Sequence, residues 1–263
     1  MLSMTKRPKP LIIGNWKMNP ATLSRAEQIV VGIQKGLQGR TGASQIAIAP
    51  PVSFITELEQ LSGSQKLAFA AQDVSMFESG AYTGEVGISM LRSVGVKLVI
   101  IGHSERREMG ETDEVVAAKL DRVLENKLTA VLCVGEKERD RSGDYFNTVE
   151  AQLTRALLNV KEESLKHLVV AYEPVWAIGT GTNATPEQVE EMRLFIQKVL
   201  ADIYGRVGAS GVRIIYGGSV NSNNADDLLR VAHVDGFLIG GASLEAKEFV
   251  AIIKIADAYA KLA

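Results

Sequence analysis

Apolar residues come in short, nearly continuous runs along this chain, not in strict alternation. The runs are Leu11–Trp16, Gln45–Pro50, Lys66–Asp73, Leu98–His103, Thr129–Glu136, Leu168–Pro174, Val212–Gly218 and Gly236–Gly241. A strand that is apolar on both sides is buried on both faces, which is the condition inside a parallel sheet covered by helices. Between the runs the apolar spacing changes to three and four. Pro186–Tyr204 carries Val189, Met192, Ile196, Val199 and Ile203 on one face. Thr185, Pro186 and Gln188 before and within its first turn form a capping box with a proline at the first helical position. Asp113–Lys127 groups Val115, Val116, Leu120, Val123 and Leu124, and Asp144–Val160 groups Val149, Leu153, Ala156, Leu157 and Val160. Ala21–Gln38, Pro51–Leu61, Val86–Ser93, Asn224–Val231 and Glu245–Leu262 complete the predicted helices.

The order is strand then helix, repeated, with strand starts about 32 residues apart, the size of one βα unit. Two parallel architectures fit, a closed barrel and an open doubly wound sheet. Eight units with a helix last favour an α/β protein folded as a single (β/α)8 TIM barrel. No linker or change of composition divides residues 11–263, so they read as one catalytic domain. Residues 1–10 are short, basic and proline-containing and read as a tail before the first strand, with a second possible start at Met4.

Composition narrows the chemistry. The 263 residues carry 29 Lys+Arg and 31 Asp+Glu, a formal charge of −2, so nothing draws the chain to nucleic acid. Apolar residues are 46% and charged residues 23%, the balance of a soluble globular protein, and no run crosses a membrane. One cysteine and three histidines exclude an intrachain disulfide and argue against a Cys/His zinc cluster. The lone Cys133 and the lack of a secretory signal point to a cytoplasmic protein. Cys133 itself lies inside an apolar strand and reads as a small buried hydrophobe.

In parallel architectures, ligands bind beyond the carboxyl ends of the strands. Titratable and glycine residues gather at those ends. Gly217-Gly218-Ser219 and Gly240-Gly241 follow the seventh and eighth strands, where barrels of this kind bind phosphate. Glycine lets backbone N–H groups approach phosphate oxygens, and a helix start adds positive potential. Glu173 ends the sixth strand, where desolvation raises a carboxyl pKa toward the range of a general base; an Arg-paired structural carboxylate is the alternative. The glycine-ended segment Pro174–Thr182 that follows has the composition of a lid. His103 follows the fourth strand at a possible helix start, Ser104-Glu105, which disfavours imidazolium. His167 and His233 precede strands and read as structural or surface residues. Lys17 supplies a point charge beside Asn15 at the end of the first strand. Glu105 and Arg106 fit a salt-bridge network as well as they fit direct chemistry.

Gly179-Thr180-Gly181-Thr182-Asn183-Ala184 matches a dinucleotide fingerprint. It trails its strand by several residues, and no second strand supplies an acidic ribose ligand at the required distance, so it is set aside. Asn183-Ala184-Thr185 is a formal glycosylation sequon with no secretory signal to use it.

The chain resembles the triosephosphate isomerase family. The matching stretches are Gly14–Asn19, Ala71–Ser75, Gly80–Glu85, Gly102–Arg107, Leu132–Glu136, Ala171–Gly181, Tyr216–Val220 and Asp235–Leu244, in order and over nearly the whole chain. The resemblance implies interconversion of two triose phosphates without cofactor or metal. It implies Glu173 as the base, His103 as a neutral electrophile, Lys17 as the electrostatic stabiliser and Asn15 as the residue that positions it. The family is itself the reference case for a glutamate base beside a neutral histidine. The resemblance further places Gly179, Ser219, Gly240 and Gly241 at the phosphate, with Ser104 and Glu105 in support. It also implies a homodimer, in which the long segment Gln72–Gly87, with Thr83 at its tip, projects toward the partner's site. Two other readings stay open from the residues alone. One is another phosphosugar barrel enzyme, which usually needs metal ligands. The other is a non-catalytic phosphosugar-binding barrel, which would be expected to lack Glu173, His103 or Lys17.

Overall fold

A computed structural model describes residues 8–40, 42–62, 67–140, 142–177 and 183–262 of the protein. The strands are β1 (Leu11–Asn15), β2 (Gln45–Ala49), β3 (Leu67–Ala71), β4 (Leu98–Ile101), β5 (Thr129–Val134), β6 (Leu168–Tyr172), β7 (Arg213–Tyr216) and β8 (Gly236–Ile239). Each pairs in parallel with the next, and β8 pairs with β1 to close an eight-stranded barrel. At the seam Leu11 lies opposite Gln45 on one side and Gly236 on the other.

Helices α1 (Leu23–Gly36), α2 (Ile55–Ser62), α3 (Ile88–Ser93), α4 (Ser104–Glu108), α5 (Asp113–Glu125), α6 (Asp144–Ala156), α7 (Pro186–Ser210), α8 (Ala225–Arg230) and α9 (Ala246–Leu262) lie in the connections. Among the described residues, no helix is long and apolar enough to cross a membrane.

The continuous apolar runs have a simple cause. Side chains alternate across a strand, and here both sides are buried, against two different cores. Leu11, Ile13, Ala47, Ala49, Ala70, Ile100, Val131, Cys133, Val169, Ala171, Ile215 and Leu238 fill the barrel interior. Their neighbours Ile12, Ile46, Ile48, Phe69, Val99, Ile101, Leu132 and Val170 face the helices. The inner set includes four alanines, as a closed interior with room only for packed side chains requires.

Helix ends depart from the pattern in instructive ways. The capping box is formed: Thr185 Oγ1 accepts the Gln188 N–H at 3.3 Å, and Gln188 Oε1 accepts the Thr185 N–H at 2.9 Å. The helix that follows runs to the break at Gly205, whose φ is 75°, in line with the expected end at Tyr204, and a second short helical piece continues to Ser210. Ile203, expected on the buried face, is 40% exposed just ahead of that break. Pro51–Leu61 resolves into a 3₁₀ turn at Val52–Phe54 and then α2. The strand runs end earlier than their apolar patterns, at Asn15, Ile101, Val134, Tyr172 and Ile239. The residues beyond them are the ones that form the rim. Residues 1–7 of the expected tail and Lys66 at the expected start of β3 lie outside the described residues.

Candidate active site

The rim is assembled from five strand ends. Asn15 closes β1 and is buried, with Oδ1 accepting the backbone N–H of Lys17 at 3.1 Å. Lys17 has a φ of 54°, the left-handed region that a residue with a side chain seldom enters. Its carbonyl is held by Gln72 Nε2 at 2.8 Å, and the same amide group donates to the Ala49 carbonyl at 2.8 Å. The strained turn aims the ammonium across the rim, where Nζ meets Glu105 Oε1 at 2.6 Å.

His103 follows β4 and caps the single turn of α4. The backbone N–H of Glu105 donates to Nδ1 at 3.2 Å. An accepting Nδ1 holds a lone pair, so the ring proton is assigned to Nε2. The donating nitrogen therefore faces the rim. The next amide, Ser104 N–H, donates to Glu173 Oε2 at 2.9 Å.

Glu173 is held by its own backbone and its neighbours. Its N–H donates to the Val134 carbonyl at 2.8 Å, continuing the ladder one residue past β6. Its carboxylate is buried, with Oε1 3.1 Å from His103 Nε2. Burial pushes this carboxyl above the ordinary glutamate range, and the Ser104 N–H and the Lys17 ammonium pull only part of the way back.

Asn15, Lys17, His103, Ser219, Gly240 and Gly241 line one cavity of about 170 Å³, with Gly217 and Gly218 between them. The 3₁₀ turn Gly241–Leu244 begins at its wall. Trp16 Nε1 donates to the Ser243 carbonyl at 3.2 Å, which ties the β1 end to that turn. Six of the expected site residues thus meet in one pocket. Glu173 stands beside it, next to His103 and Gly217. Gly179, the segment Ile178–Thr182 and most of the dinucleotide-like stretch lie outside the described residues.

A second, larger recess of about 380 Å³ opens on the other side of Lys17, lined among others by Met18, Gln72, Ser75, Glu85, Glu105 and Met109. Thr83 is exposed beside it on the segment between β3 and α3. That segment is braced by stacking of Phe77 on Tyr82 at 3.8 Å and by the Ser75 N–H to Val86 carbonyl bond at 2.9 Å.

The ambiguous pair after His103 divides. Glu105 binds Lys17, whereas Arg106 joins a network, bonding Asp73 at 2.9 Å and Glu111 at 3.3 Å, with buried Lys119 between the same two acids. Cys133 is fully buried in the inner core, and burial pushes its thiol well up, as a small hydrophobe and not a nucleophile.

Sequence reasoning missed two supports. Glu136, fully buried, accepts from Tyr172 Oη at 2.9 Å and Trp176 Nε1 at 2.8 Å, anchoring the residues just after Glu173. Gln152 clamps Gly135 by both its N–H, at 2.8 Å, and its carbonyl, at 3.2 Å. Glu136 ends a matching stretch that gave it no role, and a glutamine on a helix carries no motif. Only the fold brings them to the rim.

Comparison with known proteins adds an independent finding. A family model described as triosephosphate isomerase matches residues 10–256. A triosephosphate isomerase of Thermus thermophilus is 45% identical over 248 residues, covering 94% of this chain and 98% of that protein. One of Paracidovorax citrulli is 44% identical over 257 residues, 96% of this chain and all of its own. One of Chlorobium phaeobacteroides is 42% identical over 253 residues, 94% and 99% respectively.

Proposed function

The chain belongs to the triosephosphate isomerase family, and on that premise we propose how its rim performs the reaction. The enzyme interconverts dihydroxyacetone phosphate and D-glyceraldehyde 3-phosphate, a step of glycolysis. Glu173 takes a proton from the carbon beside the carbonyl and returns it to the neighbouring carbon. His103, neutral and protonated at Nε2, donates to the carbonyl oxygen and then to the enediolate oxygens. Lys17 places its ammonium against the charge that develops there, and Asn15 fixes the turn from which Lys17 reaches in. Ser219, Gly240 and Gly241, with Gly179 from the residues after β6, bind the phosphate. Ser104 and Glu105 support the base and the lysine.

The magnitudes divide the work. A positioned base contributes about 10²–10⁴-fold. Preorganised donors at a developing oxyanion are worth about 3–4 kcal/mol each in comparable sites. Neither suffices alone, which is why a desolvated carboxylate and a donating imidazole are needed side by side. The observation that carries the reading is their juxtaposition: His103 Nε2 and Glu173 Oε1 at 3.1 Å, at the edge of a pocket walled by Lys17 and the glycine turns. A coupled isomerase assay on the purified protein tests it. Turnover that falls by orders of magnitude in Glu173→Gln supports the roles; variant turnover near that of the unaltered protein overturns them.

The working unit is a homodimer in the cytoplasm, and the catalytic domain is the barrel from residue 11 onward. The dimer reading is supported by the exposed Thr83 segment and by the recess beside Lys17, where Met18 and Met109 are 93% and 75% exposed. A second copy's segment in that recess would cover both methionines and brace Lys17. Sedimentation of the protein and of Thr83→Asp checks it: a dimer that weakens in the variant supports the reading, and a monomer of full activity overturns it.

A further inference from the structure

Arg107 lies one turn down α4 from His103 and turns back on it. Its Nε donates to the carbonyl of Gly102 at 2.8 Å. Its Nη1 pairs with Asp113, the first residue of α5. Its guanidinium packs against Gly102: a Cβ built there would stand 3.1 Å from Nη2 and 3.0 Å from a methyl of Val116. Gly102 has a φ of 67°, so only glycine meets both conditions without strain. The Gly102 carbonyl belongs to the same rigid peptide plane as the His103 N–H. Whatever fixes that carbonyl fixes the plane from which the His103 side chain starts.

The placement is costly in ways that packing alone does not require. Nη2 is buried without a hydrogen-bond partner among the described residues. A buried unpaired donor is unfavourable, and an apolar side chain of similar volume usually fills such a place at least as well. A guanidinium does what the apolar residue cannot: its planar fork holds a carbonyl and a carboxylate at once, at fixed angles. Here one end of the fork is the peptide before His103 and the other is the start of a thirteen-residue helix.

We propose that Arg107 is a positioning residue of the isomerase reaction, referencing the His103 imidazole to the rigid start of α5 through the Gly102 carbonyl. This rests on the assignment of His103 as the electrophile. The His103 tautomer is set locally by the Glu105 N–H; its direction is set by Arg107. A tilt of the Gly102–His103 plane moves Nε2 away from the substrate oxygen while leaving the phosphate pocket, built by β7 and β8, intact.

The test is a double-mutant cycle read in kinetics. Arg107→Met should lower kcat by between about 10- and 100-fold, the loss a misplacement of about 1 Å brings, while KM changes by less than about threefold. Arg107→Lys, which keeps the charge but not the fork, should recover little. In a His103→Gln background the same Arg107→Met change should lower kcat by less than about threefold, because the group it aims is gone. A loss of equal size in both backgrounds overturns the proposal, as does a loss confined to KM. Asp113→Asn keeps Arg107 and weakens only its anchor, so it serves if Arg107→Met fails to fold: a smaller kcat loss that also vanishes with His103→Gln supports the proposal, and an undiminished one overturns it. Wild-type turnover in both Arg107→Lys and Asp113→Asn also overturns it.

Discussion

His103 Nε2 stands 3.1 Å from Glu173 Oε1, yet that oxygen has no aligned hydrogen bond among the described residues. The other oxygen, Oε2, is taken by the Ser104 N–H at 2.9 Å. The carboxylate is thus half committed. One oxygen anchors it, and the other is buried without a hydrogen-bond partner among the described residues, next to the proposed electrophile. A buried oxygen without a donor is a poorly stabilised anion and hence a stronger base. Proton abstraction needs such an oxygen, and a fully satisfied carboxylate would lack it.

The first consequence concerns pH. On the proposed roles the reaction uses Glu173 ionised, and burial raises its pKa above the ordinary glutamate value. The acid limb of kcat/KM should therefore lie above about 4.3, the unperturbed value. Lys17 is one of the groups that pull the pKa down, so Lys17→Met should move the limb to still higher pH as activity falls. A limb at or below the unperturbed value, or one that moves down in Lys17→Met, contradicts the account. Initial rates over pH 4–9 decide it.

The same burial predicts a stability cost. A carboxyl whose folded pKa is raised binds its proton more tightly in the native state. Between the unfolded and folded values the native state holds more protons, so stability falls as pH rises through that window. Glu173→Gln is neutral throughout and escapes the fall, while its amide oxygen can still accept from Ser104. At pH 8 the variant should melt higher than the unaltered protein, by about 2–4 °C for each 1 kcal/mol recovered. Below pH 4 the difference should vanish. Calorimetry at the two pH values reads this directly, and an equal or lower melting temperature at pH 8 would falsify it. A higher melting temperature of Glu173→Gln at pH 8 would mark the active site as a place where stability is given up for function.

Gly135 supplies a steric test of the same residue. A Cβ added there would lie 1.7 Å from the Glu173 carbonyl oxygen and 2.7 Å from its carbonyl carbon. Both atoms are backbone and cannot rotate away. Gly135→Ala must push β6 off β5 at the point where the proposed base is mounted. The expected result is a protein destabilised by about 1–3 kcal/mol, as for overpacking elsewhere, with kcat reduced more than tenfold. Denaturant unfolding and steady-state kinetics on the same preparation check both parts. Full activity in Gly135→Ala would mean that the exact seat of Glu173 is unimportant.

Much of this was legible in the sequence because it rests on short-range rules. The eight strands followed from apolar runs that serve two cores. The capping box at Thr185 followed from local hydrogen-bond chemistry. Asn15, Lys17, His103, Ser219, Gly240 and Gly241 could be gathered because strand ends in a parallel barrel share one rim. What stayed hidden depends on non-local geometry. Nothing in the residues near Gln152 or Glu136 says that they brace the β5 and β6 ends. The left-handed backbone of Lys17 could not be read either, since lysine has no preference for it. Helix α4 is a single turn, too short for periodicity to register, and only its start was visible in Ser104-Glu105. The expected helix end at Tyr204 falls at the break at Gly205, but the short helical piece beyond it was silent, because no apolar spacing continues there.

The Lys17–Glu105 pair separates aim from stability. Nζ and Oε1 are 2.6 Å apart, but the side chains are 31% and 49% exposed. An ion pair open to water on this scale contributes about 0–1 kcal/mol to folding. Its value lies in direction, because a lysine leaving a strained turn has four free torsions and, on the proposed roles, one place where its charge helps the enediolate. Glu105→Gln keeps the shape and a neutral acceptor while removing the charge that holds Nζ. The melting temperature should change by no more than about 2 °C. kcat/KM should fall by about 10–100-fold, since a charge that wanders by about 1 Å no longer meets the developing oxyanion. A variant with unchanged kcat/KM would show that Lys17 is aimed by its backbone turn and Gln72 alone.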